Sequence, residues 1–91
     1  MGKDKESIKE KFEKAAIDIK NKSGLQLDND TLLTLYGYYK QATEGDCNIQ
    51  QPGFFDFKAK AKYEAWVQQK GVDTETAMKK YYKKVNKILE D

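Results

Sequence analysis

Tyr36-Gly37-Tyr38-Tyr39-Lys40-Gln41-Ala42-Thr43, then Gly45-Asp46-Cys47-Asn48, then Pro52-Gly53, then Asp56-Phe57-Lys58-Ala59-Lys60-Ala61-Lys62-Tyr63-Glu64-Ala65-Trp66 is the informative stretch of this chain. Its two ends read as helices and its middle as a loop. In the first piece Tyr36, Tyr39 and Lys40 stand at i, i+3 and i+4, which places them on one helical face. In the last piece Lys58 and Lys62 are spaced i, i+4, and Tyr63, Trp66 and Val67 form an adjacent apolar stripe. Gly45, Asn48, Pro52 and Gly53 break the periodicity between them. β-Branched residues are sparse and no stretch alternates cleanly, so strands are not expected.

Outward from this stretch the helical period continues. A first helix is predicted over about Asp4 to Lys22, with Ile8, Phe12, Ala15, Ala16 and Ile19 on one stripe and Ser23-Gly24 as its stop. The second starts after Asp28-Asn29-Asp30, a cluster of good N-cap residues, and runs to about Glu44. Leu32, Leu35, Tyr36, Tyr39 and Thr43 share a face there, and Gly37 inside the helix costs about 1 kcal/mol relative to Ala. Cys47 and Ile49 are expected to pin the following loop to the core. Asp56 caps a third helix, about Phe57 to Lys70, ended by Gly71. Asp73 caps a fourth, about Thr74 to Leu89, with Ala77, Met78, Tyr81, Tyr82, Val85, Ile88 and Leu89 as its stripe. Tyr81 and Tyr82 are about 100° apart on that helix, so only one of them is expected to face the core. Four amphipathic helices in one domain, residues 1–91, make an all-α four-helix bundle. The long link allows the second and third helices to run parallel.

The 91 residues include 17 Lys, no Arg and no His, against 15 acidic residues, for a net charge of +2. That balance is not the one expected of a general nucleic-acid binder. Without Arg, bidentate forks for carboxylates or guanine edges are unavailable, while point-charge contacts to phosphate remain. Without His the usual general base and the commonest metal ligand are missing. One Cys permits no intrachain disulfide, which fits a reducing compartment. No apolar run exceeds three residues, so neither a membrane span nor a signal-peptide core is expected. Mean hydropathy is −0.92, yet aromatic residues reach 12%, which a disordered chain would lack.

Flat aromatic rings stack on a purine, and ammoniums meet phosphates. Tyr36, Tyr39 and Lys40, with Lys58 and Lys62, therefore suggest a site for a small nucleotide-like ligand. Two core tyrosines and solvated lysines are the plainer alternative. The lysines of the fourth helix, Lys79, Lys80, Lys83, Lys84 and Lys87, suit a solvated helix C-terminus. No glycine-rich phosphate loop of standard spacing is present.

The quoted string closely resembles the acyl-CoA-binding protein family, also called diazepam-binding inhibitor, and the likeness extends from Phe12 to about Leu89. The resemblance implies an up-down-down-up four-helix bundle. It implies reversible binding of medium- to long-chain fatty acyl-CoA thioesters without catalysis, as an intracellular carrier and pool buffer in lipid metabolism. No cofactor is implied. By motif, Tyr36, Lys40 and Lys62 match positions that contact the 3′-phosphate region. Tyr39 matches the aromatic beside the adenine, and Tyr81 a fourth-helix tyrosine at the adenine and ribose. Phe12 and Ala16 match first-helix positions in the pocket, and Lys20 and Lys58 positions at the head group. The chain departs from the family in the link Lys22-Ser23-Gly24-Leu25-Gln26-Leu27-Asp28, which lacks the usual Pro, in Tyr63 where Trp is frequent, and in Phe54-Phe55 where the pair is more aliphatic.

The implied protein is a cytoplasmic monomer with long-chain acyl-CoA as its partner. Acyl-CoA-using enzymes and membranes would be transient contacts, and nucleic acid would not be a partner. A protein-interaction module or secreted regulatory peptide on the same bundle, and a weak nucleic-acid binder, are the competing readings.

Overall fold

The computed structural model describes residues 7–22 and 24–90. It contains four helices in chain order: α1 (Ile8–Asn21), α2 (Asn29–Glu44), α3 (Phe57–Val67) and α4 (Thr74–Glu90). The Asp4–Glu6 part of the predicted first helix, and Ser23 of its predicted stop, lie outside the described residues.

Short-range chemistry sets the helix starts. Ser7 caps α1 in a reciprocal box: its Oγ accepts from Glu10 N at 3.1 Å, and Glu10 Oε1 accepts from Ser7 N at 3.0 Å. Ser7 itself is extended, so α1 begins at Ile8. Asp28 accepts from Thr31 N at 2.8 Å and Asp56 from Ala59 N at 3.2 Å, capping α2 and α3. Two stops differ from expectation. Lys22 at the end of α1 is extended, so the chain leaves that helix before Gly24, which has φ +76°. Helix α3 ends at Val67, and the chain reaches Gly71 through turns in which Gln69 N donates to Trp66 O and Lys70 N to Val67 O. Shorter i→i−3 bonds thus replace the last helical turn.

Side-chain neighbours give the topology. The Lys62 ammonium lies 5.6 Å from the Tyr36 ring centre, and that of Lys40 lies 4.8 Å from the Trp66 ring centre. Numbers rise together, so α2 and α3 run the same way. Lys80 lies over Tyr38 at 5.5 Å, while Thr31 shares a crevice with Ile88, so α2 and α4 are antiparallel. Lys11 lies over Tyr82 and Asp18 lines one crevice with Asn86, so α1 and α4 are parallel. This is the up-down-down-up bundle.

Packing follows the order α1, α4, α2, α3. No Cα of α1 comes within 8 Å of α2 or α3, and none of α3 within 8 Å of α4. Because α4 is flanked by both α1 and α2, a wide arc of it is covered. Tyr81 and Tyr82 are accordingly both buried, against the expectation for residues about 100° apart. Tyr81 turns toward Phe12 and Tyr39, and Tyr82 toward Lys11 and Ala15. The buried arc of α2 is Leu35, Gly37, Gln41 and Ala42. Of the residues that share a face with Leu35, Leu32, Tyr39 and Thr43 are exposed; Leu32 and Tyr39 line the gap toward α1.

Gly37 sits where α2 and α3 approach closely. A Cβ there would lie 2.5 Å from the carbonyl oxygen of Ala65. The long loop is held at its start, not through Ile49, which is 49% exposed. Trp66 Nε1 donates to Gly45 O at 2.7 Å. Asp46 Oδ1 accepts from Gln41 Nε2 at 2.8 Å and from Gly71 N at 2.9 Å. Gln41 Nε2 also donates to Val72 O at 2.9 Å. One buried amide thus ties the end of α2, the loop and the approach to α4 together.

Candidate functional site

The gap between α1 and α2 is floored by side chains. Phe12 stacks on Tyr39 with ring centres 5.4 Å apart, and Tyr81 meets both, at 5.1 Å and 5.6 Å. These three rings, one each from α1, α2 and α4, close what the backbones leave open. Aromatic pairs at such separations contribute about 0.5–1.5 kcal/mol beyond simple burial. Burial and the neighbouring Tyr39 push the Tyr81 phenol above its ordinary pKa, so its hydroxyl stays protonated and able to donate.

Two adjoining grooves open over this floor. One, of about 510 Å³, is walled by Ile19, Leu25, Leu27, Leu32 and Leu35, with Tyr36 and Lys20 also lining it. The other, of about 750 Å³, runs along Phe12, Ala16, Ile17 and Ile19. Both include Lys20, Tyr39 and Tyr81 in their lining. Volumes of this order are typical of small-molecule sites. The walls are apolar and accessible: Ile17 is 57% exposed and Leu32 49%. Contiguous apolar surface open to water marks a place where something apolar binds.

Cations lie at the rim. Lys20 and Lys22 border the first groove. Across α2, Lys62 lies on the Tyr36 ring, and Lys40 on the Trp66 ring while paired with Glu44. The two contacts form successive rungs between parallel helices, each an ammonium on an aromatic face. The Glu44 carboxylate raises the pKa of Lys40 above its ordinary value, so Lys40 is firmly cationic. An anion arriving at Lys40 has Glu44 as a competitor.

Of the residues singled out from sequence, Phe12, Ala16, Lys20, Tyr36, Tyr39 and Tyr81 come together around the two grooves. Lys40 and Lys62 flank Tyr36. Lys58 does not join them; it is exposed on α3 and lines neither groove. Ile19 and Leu35 read as core from sequence, and they wall the first groove. Leu25, Leu27 and Lys22 also line it, from the link where the chain departs from the family pattern. The Leu-x-Leu spacing across Gln26 was the available signal; nothing local says which groove those leucines meet.

The family profile described as "Acyl CoA binding protein" matches residues 9–85. The chain belongs to the acyl-CoA-binding protein family. Its fold is that family's all-α fold, and its ligand is acyl-CoA. The Manduca sexta acyl-CoA-binding protein homolog is 42% identical over 84 residues, 91% of this chain and 92% of that protein. The Mus musculus protein diazepam-binding inhibitor-like 5 is 47% identical over 77 residues, 85% of this chain and 87% of that one. The crystal structure of Oryza sativa Acyl-CoA-Binding Protein 2 superposes with a TM-score of 0.86 at 38% identity, covering 92% of each chain. That of the acyl-CoA-binding protein from Moniliophthora perniciosa gives 0.84 at 40% identity, covering 90% of this chain and 80% of that one.

Proposed function

We propose that this chain is a non-catalytic carrier and pool buffer for medium- to long-chain fatty acyl-CoA thioesters, with the nucleotide at the aromatic–lysine rim and the acyl chain in the grooves. The observation that carries the reading is the adjacency of the two chemistries. Tyr39 and Tyr81 belong to the floor of both apolar grooves, and Tyr36, beside Lys62, borders one of them. A ligand with an anionic aromatic head and an apolar tail matches that arrangement at both ends.

In this reading Lys62 and Lys40 take the 3′-phosphate region with Tyr36. Tyr39 and Tyr81 meet the adenine and ribose. Phe12 and Ala16 line the acyl path, and Lys20 reaches the head group from α1. Lys58 attracts the same phosphates from a distance. The protein works as a monomer in the cytoplasm, exchanging its ligand with acyl-CoA-using enzymes or membranes and not with nucleic acid. No helix among the described residues is long and apolar enough to cross a membrane.

Magnitudes divide the affinity between the two ends. Each methylene moved from water into an apolar groove contributes about 0.8 kcal/mol, so the roughly fourteen of a palmitoyl chain contribute about 11 kcal/mol gross. Ordering the chain and losing free motion offset several kcal/mol of this. Nanomolar affinity requires about 12 kcal/mol net, so neither half suffices alone. Titration calorimetry with CoA, dephospho-CoA, palmitate and acyl-CoAs of graded length tests the reading. CoA and palmitate are each expected to bind at least about a hundredfold more weakly than palmitoyl-CoA, a gap of about 2.7 kcal/mol. Affinity should rise with chain length and level off once the grooves are full. Palmitate binding as tightly as its CoA ester would make the chain a plain fatty-acid carrier instead.

A further inference from the structure

We propose that Phe54, Phe55 and Phe57, where the long loop enters α3, form a docking surface for anionic phospholipid bilayers. The three rings are 73%, 82% and 72% exposed and belong to no part of the core. Phe54 and Phe55 meet edge to face with ring centres 5.1 Å apart, so they shelter chiefly each other. Ile49, on the same loop, is exposed as well. Single exposed apolar residues are ordinary, but three phenylalanines within four positions make a patch.

The patch is presented from a fixed platform. Asp56 N donates to Gly53 O at 3.0 Å, closing the turn that carries Phe54 and Phe55. The Asp56 carboxylate caps α3 through Ala59 N. Phe57 begins that helix. Rings held outward by a closed turn and a helix start need little further ordering when they enter another phase.

Charge selects the partner. From Cys47 to Tyr63 the chain carries three lysines, Lys58, Lys60 and Lys62, and one acid, Asp56, whose carboxylate is used as the cap. The Lys60 ammonium lies 5.6 Å from the Phe54 ring centre, and Lys58 is exposed one residue after Phe57. Aromatic rings that enter the headgroup boundary, with lysines beside them for acidic headgroups, are the two components of interfacial membrane binding. A second copy of the chain would bring the same lysines against themselves, and an apolar protein groove would not use them. Lys62 stands further along the same helix, so a docked molecule would hold its nucleotide rim close to the bilayer. The proposal supplies the donor and acceptor surface for the carrier reading above and rests on that reading for its purpose, though not for its binding chemistry.

The test is flotation of the full chain, without acyl-CoA, on phosphatidylcholine vesicles with and without about 30 mol% phosphatidylserine. Binding to the anionic vesicles is expected, with little to the neutral ones. It should fall severalfold between about 50 mM and about 500 mM salt, as screening shortens the reach of the lysines. The double substitution Phe54→Ser/Phe55→Ser should lower partitioning at least tenfold, and Phe54→Leu/Phe55→Leu much less. Melting curves and palmitoyl-CoA calorimetry on the same variants should match the parent, since none of these residues lines the grooves; this separates a failed docking surface from a failed carrier. Equal binding of parent and serine variant, or no binding of the parent to anionic vesicles, would overturn the proposal. So would sedimentation showing a dimer that the serine variant abolishes, without vesicle binding.

Discussion

Gly37 and Lys62 show how single residues divide between fold and ligand. Glycine within a helix is a local loss of about 1 kcal/mol relative to alanine. Here it admits the Ala65 carbonyl, which a Cβ would meet at 2.5 Å. Because the obstacle is backbone, Gly37→Ala must push α2 and α3 apart. Overpacking of this kind costs about 1–3 kcal/mol, more than the helical gain at most of that range. We expect Gly37→Ala to lower the melting temperature in spite of its better propensity, and a thermal melt checks the sign. Lys62 should behave in the opposite way. Its solvated ammonium on Tyr36 gives the fold about 0.5–1 kcal/mol at most, whereas a charge-assisted bond to phosphate is worth about 1.5–3 kcal/mol. Lys62→Ala is expected to weaken acyl-CoA binding about tenfold or more with a nearly unchanged melt. Calorimetry beside melting separates the two effects, and equal affinities would remove Lys62 from the site. The spacing of Tyr36, Tyr39 and Lys40 made one face legible in the sequence; that Lys62 lies on the Tyr36 ring depends on how α3 packs on α2, which no spacing states. The burial of Tyr81 and Tyr82 together was not legible, because it depends on α4 lying between two other helices, which its own residues do not encode.

At the scale of elements, the loop between α2 and α3 is governed by Asp46. Two donors hold its carboxylate ionised: the Gly71 backbone N–H first, then the Gln41 amide. Its folded pKa therefore lies below the ordinary value of 3.8. The stabilisation from these bonds is present above that ordinary value and is lost as pH falls through the lowered one. Asp28, held by Thr31, has the same sign. We expect Asp46→Asn to melt below the parent at pH 7 and the two curves to converge below about pH 4. Melting across that range checks it; a constant gap would mean that the Asp46 charge is irrelevant. The caps at Asp28 and Asp56 were readable from sequence since each bond spans three residues. The Asp46–Gly71 bond spans 25, so no local pattern announced it, and Ile49, one of the two residues expected to pin the loop, is exposed.

For the whole molecule, the telling feature is that no Cα of α1 comes within 8 Å of α2, while the rings of Phe12 and Tyr39 stack across the gap. Four stripes were enough to expect a bundle, and one long connection allowed its second and third helices to run parallel. They could not say which pair of helices would be left apart, because a stripe facing a neighbour and a stripe facing a groove have the same periodicity. The open pair also bears on how long the protein lasts. In the proposed reading, an acyl chain in that gap is a part of the core that the sequence itself does not supply. Occupancy at a hundred times the dissociation constant adds about 2.7 kcal/mol to the folded state, roughly a hundredfold fewer unfolded molecules. Proteases that cleave opened chains would then remove empty copies much faster than filled ones. Pulse proteolysis with and without palmitoyl-CoA should show this as a hundredfold drop in the cleavable fraction. Abundance of the carrier would follow the supply of its cargo with no transcriptional signal.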